Sequence, residues 1–358
     1  MNLNFSMKKI NEILADAYTE QDFPASAYQT QLWAKTRPLE GLTVIEASPI
    51  FRNTMTKYRA LVAAGARLII GIRDGIIYDS AVVELMREAG FPVVRWDETP
   101  FEVDLILDNA GGFSAWKPRL GFVELTRSGY EKYKNSEKPV FLADGGRIKR
   151  IETFLGTGES FYRAMAQRGY ADWAGKKLVI FGSGKVGSGL IYYAKQKGAY
   201  VVSVTDPASV SGKTRERIDE LVDFRDTAKT AQVVADAFAA VTATGICGAL
   251  DRDGVPEALV ASSALLANMG VEDEFGPRVP AARVLGEKRS LNFFLEEPTH
   301  LKYIDATLAL HSAGAVYLAQ NAGTLPPGII LPPSDIEDEI LRVTRERGCI
   351  AAEMDFLN

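Results

Sequence analysis

Histidine and cysteine are scarce in this chain of 358 residues. The two histidines, His300 and His311, cannot make a multi-histidine metal centre, and no cysteine–histidine spacing suits zinc. The two cysteines, Cys247 and Cys349, cannot build a disulfide framework, which points to a reducing cytoplasm. No apolar run approaches the length of a membrane span, and Met1 to Ala15 has no apolar core of the kind a signal peptide carries. A bias of charge is missing too. The 41 Lys and Arg stand against 46 Asp and Glu, for a net charge of −5. The signs are mixed along the chain, so neither a nucleic-acid face nor a patch for an anionic membrane is expected. Charge runs read as solvated helix faces. What remains is the composition of a soluble globular protein, 47% apolar and 24% charged, long enough for two cores.

Strand and helix patterns alternate along the first half. Residues 1–30 read as an amphipathic helix followed by a loop. Strands are expected at Thr43 to Ala47, Arg67 to Ile72, Pro92 to Trp96, Leu105 to Asp108 and Val140 to Ala143. Helices are expected at Thr54 to Ala64 and Ser80 to Ala89. Such alternation implies a parallel sheet covered on both faces. Gly111-Gly112 and Gly145-Gly146 follow two of these strands. Ligands collect at such strand ends, although each pair is also an ordinary tight turn.

The second half is more specific. Val179 to Gly189 reads Val-Ile-Phe-Gly-Ser-Gly-Lys-Val-Gly-Ser-Gly, after a strand from Lys177 to Phe181 and ahead of a helix from Val186 to Lys197. Gly182 permits the turn, Gly184 lets the backbone approach a pyrophosphate, and Gly187 lets helix and strand pack closely. Lys185 and Val186 complete the loop, where the helix N-terminus offers free N–H groups to phosphates. A further strand runs from Ala199 to Val204, and Asp206 follows 22 residues after Gly184, where a carboxylate accepts the ribose hydroxyls. That carboxylate would repel a 2′-phosphate, so NAD is expected rather than NADP. Beyond it, Val233 to Val241 reads as a helix or strand leading to Thr242-Ala243-Thr244-Gly245. Ala264 to Met269 and Arg289 to Phe294 read as strands, Asp305 to Asn321 as a long apolar helix, and Ser334 as the cap of a charged helix.

The residues resemble the S-adenosylhomocysteine hydrolase family over roughly 36–345. The glycine loop, Gly198-Ala199 and Asp206-Pro207 follow that family's loop and second strand. Thr242 to Gly245 is similar to its Thr-rich turn over the cofactor, Asn268-Met269-Gly270 to its Asn-Ile-Gly, and Asn292 to an Asn contacting the nicotinamide carboxamide. Leu107-Asp108 with Gly111-Gly112, and Gly156-Thr157-Gly158-Glu159-Ser160, match further motifs. The resemblance implies an α/β fold of two domains, a central NAD-binding Rossmann domain (169–321) and a discontinuous α/β substrate domain (1–168, completed by 322–358), with a cleft between them. It implies cofactor contacts from Gly182, Gly184, Lys185, Val186, Gly187, Asp206, Thr244, Gly245, Asn268 and Asn292.

The departures concern the substrate side. The family's His falls on Pro49, its catalytic Lys on Ile148 beside Lys149, and the Asp and Asn one turn later on Glu152 and Thr153. A His-Phe after its Asn-x-Gly becomes Val271-Glu272. The catalytic candidates are therefore Asp108, Lys149, Glu152 and His300, and the substrate-binding candidates are Arg52, Asn53, Glu124 and Arg147. Five of these have a plainer reading. Asp108 is equally a turn carboxylate, Glu124 a surface residue, Lys149 part of a solvated turn, Glu152 a helix-face charge and Arg52 a helix-start charge. His311 reads as a packed core histidine.

The implied activity is transient oxidation of a secondary alcohol by bound NAD, followed by elimination and hydrolysis, on a substrate other than S-adenosylhomocysteine. The alternatives are a plain NAD-linked dehydrogenase of a small hydroxy or amino acid and a non-catalytic NAD-binding regulatory subunit. The expected partners are a small-molecule substrate and further copies of the chain in a cytoplasmic homo-oligomer, with no metal, nucleic acid or membrane.

Overall fold

The computed structural model describes residues 3–75 and 78–357. The chain divides into two compact units: residues 1–151 with 301–355, and residues 152–300 with 356–358. The strands, in chain order, are β1 (Thr43–Glu46), β2 (Arg67–Ile72), β3 (Val93–Arg95), β4 (Leu105–Asp108), β5 (Gly121–Glu124), β6 (Pro139–Leu142), β7 (Lys177–Phe181), β8 (Tyr200–Thr205), β9 (Glu220–Asp223), β10 (Ala239–Thr242), β11 (Leu265–Asn268), β12 (Val284–Ser290) and β13 (Gly328–Ile330).

The first unit holds a seven-stranded sheet in the order β3-β2-β1-β4-β5-β6-β13, and the second a six-stranded sheet in the order β9-β8-β7-β10-β11-β12. Every strand pair is parallel. Both sheets are doubly wound, so the expected α/β class of two domains is what the chain adopts. The order reverses once in each sheet, between β1 and β4 and between β7 and β10. Loops leaving the two strands at such a reversal diverge and leave room for a ligand. Parallel strands are covered on both faces, which is why β4, β5 and β10 are buried at every position.

Several expectations are corrected. The segment 1–30 is not one helix and a loop, because a second helix runs from Pro24 to Thr36. Pro24 stands at its first position, where a missing N–H costs nothing. β5 and β13 escape the alternation pattern, being four and three residues long. The strand expected over Arg289 to Phe294 ends at Ser290, and Leu291–Phe294 is a 3-10 turn. The segment Val233 to Val241 is the end of one helix and the start of β10. Ser334 is the first residue of its helix rather than the cap, a position held by Pro333.

The unit boundaries fall at 151/152 and 300/301, not at 168/169 and 321/322. Packing explains both shifts. The helix Thr157–Gln167 belongs with the second unit, since Gly158 lies against the backbone of Gly189 so closely that no side chain would fit. The helix Leu301–Gln320 lies on the first unit's sheet, with Gly314 against Phe141 and Val123.

That long helix also anchors the N-terminal region. Asp305 is fully buried and accepts hydrogen bonds from Ala25 N (2.8 Å) and Ser26 N (3.2 Å), the free N–H groups opening the helix Pro24–Thr36. Gln29 Nε2 donates to Ala309 O at 2.8 Å one turn further on. Burial pushes the Asp305 carboxyl up to about 6, against the hydrogen bonds that favour its ionised form. The unfolded chain releases this proton near the ordinary value of about 3.9. The native state therefore holds it more tightly, and the group's contribution to stability is lost as pH rises from about 4 to about 6. Asp305→Asn should remove this dependence. The stability of the parent relative to the variant should fall across that interval by on the order of 2–3 kcal/mol, followed by thermal unfolding at stepped pH. A constant difference would show that the carboxyl does not titrate there.

Candidate functional site

In the second unit, β7 runs out at Phe181 and turns through Gly182, whose φ of +94° places it in the left-handed region. The helix Lys185–Gln196 then begins, with Gly184 at its N-cap. Gly187 packs on the turn, and a Cβ there would collide with the Gly182 carbonyl. At Gly184 a Cβ would meet nothing within 4 Å. Gly182 and Gly187 are thus needed by the fold, whereas Gly184 keeps the helix N-terminus open on its outer side. Ser183 Oγ bonds Thr205 Oγ1 at 3.0 Å, tying the loop to the end of β8. Lys185 is exposed and Val186 half-buried.

A cavity of about 280 Å³ extends from this loop. Gly182, Ser183, Gly184, Asp206, Phe224 and Leu250 are among the residues that line it. The open N-terminus of a 12-residue helix together with apolar lining residues suits a nucleotide, with phosphates at the N–H groups and the base against the apolar side chains. Asp206 stands just beyond β8, with Oδ1 accepting from Ala208 N (3.1 Å) and Oδ2 from Arg225 Nη2 (3.1 Å). The Arg225 guanidinium and the Ala208 N–H hold its carboxyl below the usual carboxylate range. Arg225 and Arg252 both stack on Phe224, at 4.4 and 4.5 Å from the ring centre. Arg225 has no counterpart among the expected site residues, for it lies 19 positions beyond Asp206 with no motif to mark it.

The remaining expected cofactor residues are more deeply committed to the protein. The buried Glu274 accepts from Thr244 N and Oγ1 (2.8 Å each) and from Gly245 N (2.7 Å), so one carboxylate shapes the whole Thr-Gly turn. Asn268 Oδ1 accepts from Thr242 Oγ1 (2.8 Å) and Gly270 N (2.9 Å), and its Nδ2 donates to Glu272 O and Lys288 O (2.7 Å each). All four hydrogen-bonding places of an asparagine amide are then filled, which makes Asn268 a clamp on the strand ends rather than a direct ligand. Asn292 Oδ1 accepts from Ser290 Oγ at 2.8 Å. Glu274 gave no local signal, since its partners lie about 30 residues away.

In the first unit, Asp108 and Glu124 end β4 and β5 and are register partners. Both are buried. Asp108 accepts from Asn109 N (2.8 Å), Phe113 N (2.9 Å) and Tyr133 Oη (2.5 Å). Glu124 accepts from Ala110 N and Thr126 N (2.8 Å each), Gly111 N (3.0 Å) and Thr126 Oγ1 (2.9 Å). Glu124 is therefore no surface residue. Burial pushes both carboxyls up, and for Glu124 the neighbouring Asp108 adds to it. Two acids this close titrate as a pair, with a proton retained closer to neutrality than by a free carboxyl.

Lys149 is buried, with Nζ 3.4 Å from Leu125 O, so the solvated turn is replaced by a core position. Arg147 points elsewhere: its guanidinium bonds Asp338 (2.8 Å) and faces Glu337 (3.6 Å) on the C-terminal helix. Arg52 and Asn53 open the 3-10 turn Arg52–Thr54 after β1. Glu152 and His300 lie in the second unit. Glu152 sits on a π-helical turn, Ile151–Gly156, and half-exposed His300 stands 3.6 Å from Glu297 and 3.9 Å from Glu159.

An unforeseen polar cluster fills the end of β1. Lys57, wholly buried, donates from Nζ to Glu46 Oε1 (2.5 Å), Ser48 Oγ (2.9 Å) and His311 Nδ1 (2.5 Å). His311 Nε2 faces Val123 O at 2.8 Å. Desolvation, then the Lys57 charge, push the imidazole well below its usual range, so it is neutral and carries its proton on Nε2. The packed core histidine is thus also a hydrogen-bonded one. No group of three or more candidate metal ligands occurs among the described residues.

The chain is 22% identical over 370 residues to the adenosylhomocysteinase of Thermotoga maritima, covering 87% of this chain and 88% of that one. Identity is 25% over 381 residues with the adenosylhomocysteinase of Archaeoglobus fulgidus, covering 90% of each. It is 23% over 403 residues with that of Thermoplasma acidophilum, covering 96% and 94%. No family model matches the chain. Among solved structures, a dipicolinate synthase chain from Bacillus halodurans has a TM-score of 0.52 at 14% identity, over 79% of this chain and 99% of that one. At that identity the likeness concerns the fold alone. The relation to adenosylhomocysteinases is distant and runs the full length.

The two loop glycines should behave oppositely. Gly187→Ala forces backbone apart and should cost about 3 kcal/mol or more. Gly184→Ala meets no atom and should stay within about 1 kcal/mol of the parent. Denaturant unfolding of the two variants checks the contrast, and equal losses would mean that the loop does not pack in this way.

Proposed function

We propose that residues 152–300 bind NAD and that residues 1–151 with 301–355 bind the substrate of an adenosylhomocysteinase-like enzyme whose substrate is not S-adenosylhomocysteine. The observation that carries the cofactor is Gly184, open on its outer side at a helix N-terminus, with Asp206 at the end of the next strand. The Gly184 to Gly187 N–H groups would hold the pyrophosphate, Asp206 the adenosine ribose, and the apolar lining at Phe224 the base. Bound NAD supplies a hydride acceptor for a secondary alcohol. In the substrate unit, Asp108 with Glu124 and Tyr133 is a group able to take up and keep a proton near neutral pH. Lys149 is a buried cation on the neighbouring turn, suited to stabilise negative charge on a bound oxygen. Glu152 and His300 are the proton carriers of the other unit.

The full-length relation supports the hydrolase-type cycle. The substrate differs because Ile148, fully buried, and Pro49 stand where the resemblance puts the family's lysine and histidine. The same two residues favour a second reading, an NAD-binding protein without catalysis. Retention of NAD by the purified protein with no net consumption of added NAD, but with transient reduction of the bound nicotinamide by substrate, supports the cycle, and retention without any such reduction supports the second reading. Stoichiometric NADH from a hydroxy acid would replace it by a plain dehydrogenase.

NAD should bind and NADP should not. Asp206→Ala should weaken NAD by the worth of a charged hydrogen bond, about 1.5–3 kcal/mol, and relax the preference. Gly184→Val should abolish NAD binding while the fold survives. Calorimetric titration reads both, and equal affinity of the parent for NADP would remove Asp206 from the ribose. S-adenosylhomocysteine should be cleaved at least about 10²–10⁴-fold more slowly than an enzyme with a placed base would cleave it. Efficient release of homocysteine by the parent protein would refute the substrate assignment.

A further inference from the structure

The carboxyl edge of the first unit's sheet holds a cation that no part of the reading above uses. Arg73 follows β2 directly. Its side chain lies against Gly112, which follows β4: a Cβ on Gly112 would stand 2.7 Å from Arg73 Nε and 3.3 Å from Asp108 Oδ1. In the sheet, β1 lies between β2 and β4. The Arg73 side chain therefore crosses the carboxyl end of β1 and reaches the reversal point between β1 and β4, where a doubly wound sheet has room for a ligand. Gly112 makes that path possible, since any side chain there would displace the arginine.

Several other cations along this edge already have partners within the protein. Lys57 donates to Glu46, Ser48 and His311. Lys132 Nζ is 3.2 Å from Gly111 O, and Lys149 Nζ is 3.4 Å from Leu125 O. Arg147 is held by Glu337 and Asp338. Arg52 has a partner of its own. Arg73 differs, because its Nε is buried and makes no hydrogen bond among the described residues. A buried guanidinium N–H left unpaired is costly, because the hydrogen bond it gave up to water is not replaced. The Asp108 carboxylate is near enough for its charge to be felt, yet it spends its oxygens on Asn109, Phe113 and Tyr133. A guanidinium edge of this kind is built to donate two parallel hydrogen bonds to an oxyanion.

We propose that Arg73 anchors an anionic oxyacid group of the substrate, a carboxylate or a phosphate, at the reversal point of the first unit's sheet. The proposal rests on the reading of this unit as the substrate-binding one and adds the chemical class of the substrate. Arg147, a substrate-binding candidate by sequence, is paired at the surface, whereas Arg73 lies at the sheet's ligand position.

The test is titration of the full chain with malonate and, separately, inorganic phosphate at fixed ionic strength, read by calorimetry. One of the two should bind saturably, malonate for a carboxylate site and phosphate for a phosphate site. Arg73→Gln should weaken that binding tenfold or more. Gly112→Ala should do the same with the arginine still present, because the added Cβ evicts it. Arg73→Lys, which keeps charge and stem but loses the fork, should weaken binding several-fold and decides the matter if the Gln variant does not fold. NAD affinity should be unchanged in all three variants. Absence of saturable anion binding by the parent, or equal binding by Arg73→Gln, would overturn the proposal. Failure of the parent to bind NAD would instead overturn the cofactor assignment and leave the anion titration standing.

Discussion

Everything chemical in this chain depends on parallel strand pairing. Because all the strands of a sheet point one way, all their carboxyl ends share one edge, and the loops that leave them carry the polar residues. Because each sheet adds strands first to one side and then to the other, one gap opens on that edge, beside β1 in the first unit and beside β7 in the second. The glycine turn, Asp206 and the Thr-Gly turn all stand at strand ends around the second gap. Glu46, Ser48, Arg73, Asp108 and Glu124 stand at or just past strand ends around the first.

The two edges solve the problem of polar groups at a buried sheet end differently. In the second unit the backbone remains available, and Gly184 has nothing beyond it. In the first, side chains neutralise one another. Lys57 has three ammonium protons and meets three acceptors, one of them charged. Desolvation drives its pKa down, and the Glu46 carboxylate offsets that only in part. A buried pair of this kind is weak evidence for stability, because removal from water offsets much of the attraction. Breaking it is another matter, since loss of one partner strands the other charge in the core. The neutral His311 fits the same logic, for a second cation beside Lys57 would have no counter-charge.

What could be read from the sequence was whatever is local. The run from Lys177 to Gly189 carries strand, turn and helix in one short stretch, and the structure has each of them there. Asp206 needed only the next strand. The alternation of strands and helices likewise announced two parallel sheets. What escaped was short or distant. β13 is three residues inside a proline-rich stretch, and it joins β6 only because the chain returns from the second unit. Glu274 bonds a turn about 30 residues away. Lys57 occupies an otherwise unremarkable helical position, and its three partners come from β1, the loop after it and a helix more than 250 residues later. Arg73 has no sequence context at all, because its meaning comes from Gly112, brought alongside by the order of strands in the sheet.

Ile148 and Pro49 take on a different sense beside these residues. If the chain had simply lost its catalytic groups, the sheet edge around the first gap would be free to become apolar, as buried positions tend to do without a partner or a use. It is instead dense in ionisable groups. Glu46, Lys57, Asp108, Glu124, Lys149 and His311 are all buried there, with Arg73 lying across the end of β1. Holding so many charges and acids away from water costs free energy that hydrogen bonds only partly offset. Groups with strongly shifted protonation gathered at one strand edge are the usual physical mark of a working site, although ion networks built for structure shift protonation as well. The distribution decides between the two. In the Lys57 network the three ammonium protons each meet an acceptor, and only an acceptor, Glu46 Oε2, is left without a partner among the described residues. At the sheet's reversal point it is a donor that is left over: one Arg73 guanidinium nitrogen has no partner among the described residues, beside Asp108, whose carboxyl burial pushes up. A cation lacking a hydrogen-bond acceptor, at the ligand position of a sheet edge dense in ionisable groups, suits an anionic substrate, in keeping with the changed substrate proposed above.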